Sequence, residues 1–137
     1  MTEVTRRQLL AASVAAAAAA PAFSQTAAAA PSLSGRSILI TGTSSGFGTL
    51  AALLFARSGA KVFATMRNLP RPEGEALRKA ARDERLDLTV LQLDVTKPDD
   101  ISRAVREAER LSGGGLDVVI NNAGIGLSGP VELQDEA

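Results

Sequence analysis

The chain has 137 residues, which leaves room for one domain. Its 15 basic side chains balance 15 acidic ones, so no net charge draws it to nucleic acid or to an anionic surface. It contains no cysteine and no histidine, which excludes disulfides, thiolate nucleophiles, histidine-based triads and the usual zinc sites; a metal could be held only by carboxylates, and no cluster of them suggests one.

The first 24 residues read as an address. Arg6-Arg7 stands just ahead of an apolar stretch, Leu9 to Ala20, which is too short and too rich in alanine to cross a membrane stably. Ala20-Pro21-Ala22 and Ala22-Phe23-Ser24 follow as small-residue cleavage boxes. This order resembles a twin-arginine export signal and implies a periplasmic destination. The alternative is an alanine-rich tail before a cytoplasmic domain. Residues 25–34, rich in Ala, Pro and Ser, serve as a linker, and residues 35–137 form the domain.

From Ser37 onward strands alternate with helices. Ser37 to Thr41 is a short apolar run ending in a glycine-rich turn, as expected of a buried parallel strand. A helix from Gly46 to Ser58 places Leu50, Ala51, Leu53 and Leu54 at helical spacing, and Gly59 closes it. Lys61 to Met66 is the second strand, Asn68 to Pro72 a loop, Glu73 to Arg85 a charged helix, and Leu88 to Leu93 the third strand. Thr96 is the expected cap of the next helix, with Pro98 in its first turn and Asp99 and Asp100 complementing its dipole. Its apolar stripe is Ile101, Ala104, Val105, Ala108 and Leu111, and Gly113-Gly114-Gly115 ends it before a fourth strand, Val118 to Ile120. The pattern predicts an α/β fold: a Rossmann-like, doubly wound parallel sheet of about four strands with flanking helices.

The chemistry is expected in the turn between the first strand and first helix, Thr41-Gly42-Thr43-Ser44-Ser45-Gly46-Phe47-Gly48. A pyrophosphate needs close backbone approach, which glycines allow, and free N–H groups, which a helix N-terminus supplies. The hydroxyls of Thr43, Ser44 and Ser45 are candidate further donors. The bland alternative is a mere tight turn.

The Gly-x-x-x-Gly-x-Gly turn beginning at Gly42, Asp94-Val95 closing the third strand, and Asn121-Asn122-Ala123-Gly124 after the fourth together resemble the short-chain dehydrogenase/reductase (SDR) family. The resemblance covers residues 34 to about 136. It implies cofactor contacts from Thr41, Gly42, Ser44, Ser45, Gly46, Phe47 and Gly48 around the pyrophosphate. Asp94 and Val95 would border the adenine; Asn121, Asn122, Ala123 and Gly124 would line the adenosine ribose and steady the sheet. Gly129-Pro130-Val131-Glu132 resembles a stretch of retinol- and hydroxysteroid-dehydrogenase-like members. At the end of the second strand, where an acid would bond the ribose 2′-hydroxyl of NAD, stand Met66 and Arg67, with Arg71 beyond. This favours NADP over NAD.

The family's hydride transfer relies on a Ser and a Tyr-x-x-x-Lys. The chain has no tyrosine, and no lysine after Lys97, so no catalytic residue is assigned and the chain is expected to be an inactive N-terminal portion of the enzyme. A complete version would act on a small alcohol or ketone, as a homo-oligomer without a stable membrane anchor. The alternatives are a non-catalytic nucleotide-binding module and a defunct product.

Overall fold

The computed structural model describes residues 32–126. The export segment, most of the linker and Gly129 to Glu132 lie outside them. Four strands, β1 (Ser37–Ile40), β2 (Lys61–Met66), β3 (Leu88–Gln92) and β4 (Val118–Ile120), alternate with three helices, α1 (Gly46–Arg57), α2 (Pro72–Glu84) and α3 (Pro98–Ser112). The sheet is parallel throughout, in the order β3-β2-β1-β4. The chain therefore steps outward from β1 to β3 and then crosses back to β4, so a crevice opens where the order reverses.

Side-chain alternation along the central strands fills two cores. Ile38, Ile40, Val62, Ala64 and Met66 face one side with Ala52 and Ala56 of α1 and Leu77 of α2. Leu39 and Phe63 face the other, against Ala108 of α3. Both faces of β1 and β2 are buried, which is why these strands read as unbroken apolar runs rather than as alternating ones. Before β1, Leu33 already packs on the first core, and its N–H donates to the Ser58 carbonyl at 2.8 Å.

Three local expectations are corrected. The buried stripe of α1 is Gly48, Ala52 and Ala56, whereas Leu50 and Leu54 are 66% and 59% exposed. Small residues four apart let the helix lie close on the sheet, and that turns Leu50 and Leu54 outward while the expected Ala51 and Leu53 still pack against the core. Thr96 does not cap α3. Lys97 occupies the N-cap position, and the Thr96 N–H and hydroxyl both donate to the Asp94 carboxylate, at 3.1 and 2.8 Å. Thr96 stands one residue before the N-cap, where its two donors close a local turn onto the Asp94 side chain. In the expected stripe of α3, Ala104 and Ala108 are buried while Ile101 is exposed.

β4 pairs only with β1 in this sheet. Its start is clamped from β1: Asp117 accepts hydrogen bonds from the Ser37 N–H (2.8 Å), the Ser37 hydroxyl (2.9 Å) and Arg36 Nη1 (2.9 Å). These donors hold its carboxyl well below the usual range, at about 2, with the Ser37 N–H the largest influence.

Candidate functional site

The loops that follow β1, β2, β3 and β4 meet at the carboxyl edge of the sheet and enclose a cleft of about 540 Å³, within the usual size of ligand sites. Its walls include Gly42, Ser44, Ser45 and Phe47 from the first loop and helix, Met66 at the end of β2 and Arg67 after it, Asp94 and Val95 after β3, and Asn122, Ala123 and Gly124 after β4. Residues eighty apart in sequence are thus brought to one place. Leu93, Thr96 and Ile125 also line it and were missed, because none belongs to a motif; Leu93 and Ile125 look like ordinary core residues in sequence.

Thr41 and Gly48, expected at the cofactor, stand behind the cleft as its framework. The Thr41 Oγ1 accepts the N–H groups of Asn122 and Ala123, both at 3.0 Å, and the residue is buried. The Asn122 Nδ2 donates to the Thr41 and Gly42 carbonyls, each at 3.0 Å. A Cβ on Gly48 would run into the Gly42 carbonyl oxygen and come within 2.6 Å of Asn122 Nδ2. A Cβ on Gly42, whose φ is +71°, would come within 2.7 Å of the Ala123 Cα. These two glycines permit the close approach of the first and fourth loops. Gly46 and Asn121 are exposed but do not line the cleft.

The hydroxyls divide in the same way. Thr43 is buried, and its Oγ1 donates to the Thr65 carbonyl at 3.1 Å, so it is not a donor into the cleft. Ser45 is the N-cap of α1, in extended backbone, and its hydroxyl makes no capping bond. The first N–H groups of α1 are thus left without a side-chain cap, in a first turn that carries no acidic residue. The first turns of α2 and α3 carry Glu73 and Glu75, and Asp99 and Asp100. Hence α1 is the helix that presents uncompensated positive dipole, and it presents it beside the cleft.

Basic charge in the cleft comes from Arg67, which is exposed and makes no ion pair among the described residues. Arg71 is engaged elsewhere. It forms a two-pronged pair with Glu73, at 2.9 and 3.0 Å, and this pair holds the Glu73 carboxyl at about 2. The Asp94 carboxyl is lowered chiefly by the bonds from Thr96, with lesser pulls from Lys97 and Arg67.

A second cleft of about 460 Å³ lies at the amino edge of the sheet, lined by Arg36, Lys61, Asp87, Asp117 and the Gly113 to Gly115 loop among others. Its charges are already matched: Arg36 pairs with Asp117, and Lys61 with Asp87. No helix N-terminus or unpaired cation lines it, so the carboxyl-edge cleft is the stronger candidate for an anionic ligand.

The chain is similar to known proteins over most of its length. The short chain dehydrogenase family model matches residues 36–137. An uncharacterized oxidoreductase of Myxococcus xanthus is 43% identical over 94 residues, covering 69% of this chain and 36% of the relative. Estradiol 17-beta-dehydrogenase 2 of Rattus norvegicus is 41% identical over 91 residues, covering 66% of this chain and 23% of the relative. A gluconate 5-dehydrogenase from Burkholderia cenocepacia, solved in complex with NADP and tartrate, superposes with a TM-score of 0.65 at 31% identity, covering 76% of this chain and 40% of that one. The chain thus spans about a third or less of the length of these curated relatives.

Proposed function

Since the chain belongs to the short-chain dehydrogenase family, we propose that it supplies the cofactor-binding part of an oxidoreductase that moves a hydride between NADP(H) and an alcohol or carbonyl group. The observation that carries this reading is the uncapped, acid-free N-terminus of α1 opening beside a cleft that also holds the unpaired Arg67. The residues fit a dinucleotide: crowding at Gly42 and Gly48 draws the loops together, and a Cβ on Gly46 would meet nothing within 4 Å, leaving its backbone open to a ligand.

In this reading the N–H groups at the start of α1, with Ser44 and Ser45, hold the pyrophosphate. Asp94 and Val95 border the adenine, and Ala123 and Gly124 border the adenosine ribose. Arg67 follows Met66 where an acid would bond the 2′-hydroxyl, and it takes the 2′-phosphate, so NADP is preferred over NAD. When bound, the nicotinamide supplies the hydride chemistry. The chain has no tyrosine, so the family's Tyr-x-x-x-Lys proton donor is not among its residues; its part is to bind and orient. A small alcohol or ketone substrate, a homo-oligomeric whole enzyme and delivery to the periplasm belong to the same proposal. Delivery rests on Arg6-Arg7 ahead of the apolar stretch.

Titration of the chain with NADPH and with NADH, each followed by its own fluorescence, tests the cofactor assignment. One charge-assisted contact corresponds to about tenfold or more in affinity for NADPH, and Arg67→Glu is expected to reverse the order. Equal affinities in the unaltered chain would refute it.

A further inference from the structure

Gln92, the last residue of β3, joins three segments that the cofactor reading treats separately. Its Oε1 accepts the Leu69 N–H at 2.8 Å, and its Nε2 donates to Asp100 Oδ2 at 3.4 Å. The same Asp100 oxygen accepts the Asp94 N–H at 3.2 Å, and its other oxygen is held by Arg103. Only one orientation of the carboxamide satisfies both partners, since Leu69 offers a donor and Asp100 an acceptor. Gln92 itself is absent from the lining of the cleft.

The segment so anchored carries Arg67. Asn68 adopts a left-handed conformation (φ 58°), which turns the chain sharply between Arg67 and Leu69. The Leu69 side chain packs on the first core, and Arg71 Nη1 donates to the Arg67 carbonyl at 3.4 Å. Leu69 is thus pinned by its side chain below and by Gln92 through its N–H, two residues from the basic group. Without the Gln92 acceptor, the Leu69 N–H would turn to water and the loop would lose this bond to β3.

We propose that Gln92 is a positioning residue for cofactor selectivity: by tying the loop after β2 to the start of α3, it holds Arg67 where a 2′-phosphate can be met. This rests on the reading of Arg67 as the 2′-phosphate contact. It predicts that selectivity depends on a residue that touches no cofactor.

Two measurements on the full chain test it. Gln92→Met keeps the length of the side chain and removes both bonds. In the apo chain, hydrogen exchange at the Leu69 amide should quicken about tenfold or more. In cofactor titrations, Gln92→Met should weaken NADPH about three- to tenfold while leaving NADH within about twofold. Gln92→Glu, which still accepts from Leu69 but cannot donate to Asp100 and sets a second carboxylate beside it, should lose the preference for NADPH as Gln92→Met does. Equal weakening of both cofactors, or an unchanged Leu69 amide, overturns the proposal while leaving the Arg67 reading intact. A chain with no preference for NADPH before any substitution overturns the Arg67 reading and this one with it. Should Gln92→Met lose its cooperative melt, Gln92→Ala takes its place in both measurements; if that variant fails as well, Gln92 is part of the framework alone and the proposal falls.

Discussion

The side-chain amide of Asn122 donates to the backbone carbonyl of Gly42 at 3.0 Å, across eighty residues of sequence. With its twin bond to the Thr41 carbonyl, it fixes the loop after β4 to the glycine-rich turn after β1. The two halves of the candidate site therefore cannot shift independently.

Replacing Asn122 by Leu removes both donors and leaves two carbonyls facing an apolar side chain. The expected loss is about 1–3 kcal/mol of stability, or a fall of roughly 4–8 °C in Tm per kcal/mol for a domain of this size. Dinucleotide affinity should fall with it. Thermal melts followed by circular dichroism check the first effect, and a wild-type melting temperature in the variant would contradict it.

The three glycines of the turn should respond differently to alanine. Gly48→Ala puts a methyl group against the Gly42 carbonyl and Asn122, and Gly42→Ala puts one against Ala123. Overpacking of this kind costs about 1–3 kcal/mol, and Gly42 adds left-handed strain. Gly46 also has a positive φ, +56°, but a Cβ there meets nothing, so its cost is the strain alone, about 1–2 kcal/mol. The expected order of stability is Gly46→Ala above Gly42→Ala, read from urea midpoints.

Much of this arrangement was legible in the sequence, and the reasons for the rest are specific. The alternation of strands and helices followed from apolar runs punctuated by glycine, and β2 falls on the expected Lys61 to Met66. Most of the motif residues after β1, β3 and β4 line one cleft, while Thr41, Gly46, Gly48 and Asn121 do not. What sequence could not show was how partners divide among the groups nearby. Thr43 looked like a free hydroxyl until Thr65 took it, Arg71 like a free cation until Glu73 took it, and Thr96 like a cap until Asp94 took it. The outward leucines of α1 were misread because periodicity identifies a stripe by size, whereas close packing on a sheet selects the stripe of small residues.

Acid should loosen the junction of β1 and β4. The Asp117 carboxyl is lowered from 3.8 to about 2, and that of Glu73 from 4.5 to about 2. A carboxyl depressed on folding stabilises the fold fully above its unfolded value and loses that contribution as pH falls through the folded value. The melting temperature should therefore drop between about pH 4.5 and 2, and Asp117→Asn should flatten part of that drop. An identical pH profile for the variant would contradict the assignment.

Val118 and Val119 of β4 are 41% and 53% exposed, on a strand that pairs on one side only within the described sheet. An apolar edge of this kind invites pairing between copies. Val119→Lys is expected to lower light scattering of the concentrated chain without lowering its Tm, and unchanged scattering would show that β4 is not the sticky edge.

The central claim is that a phosphorylated dinucleotide binds at the carboxyl edge of the sheet, and backbone amide shifts tested with NADPH address it most directly. Binding there should move the signals of Gly42, Ser44 to Gly48, Arg67 and Ala123 to Gly124, and leave Gly113 to Gly115 at the opposite edge in place. Shifts confined to Gly113 to Gly115, Arg36 and Lys61, or no shifts at millimolar NADPH in a folded chain, would contradict it.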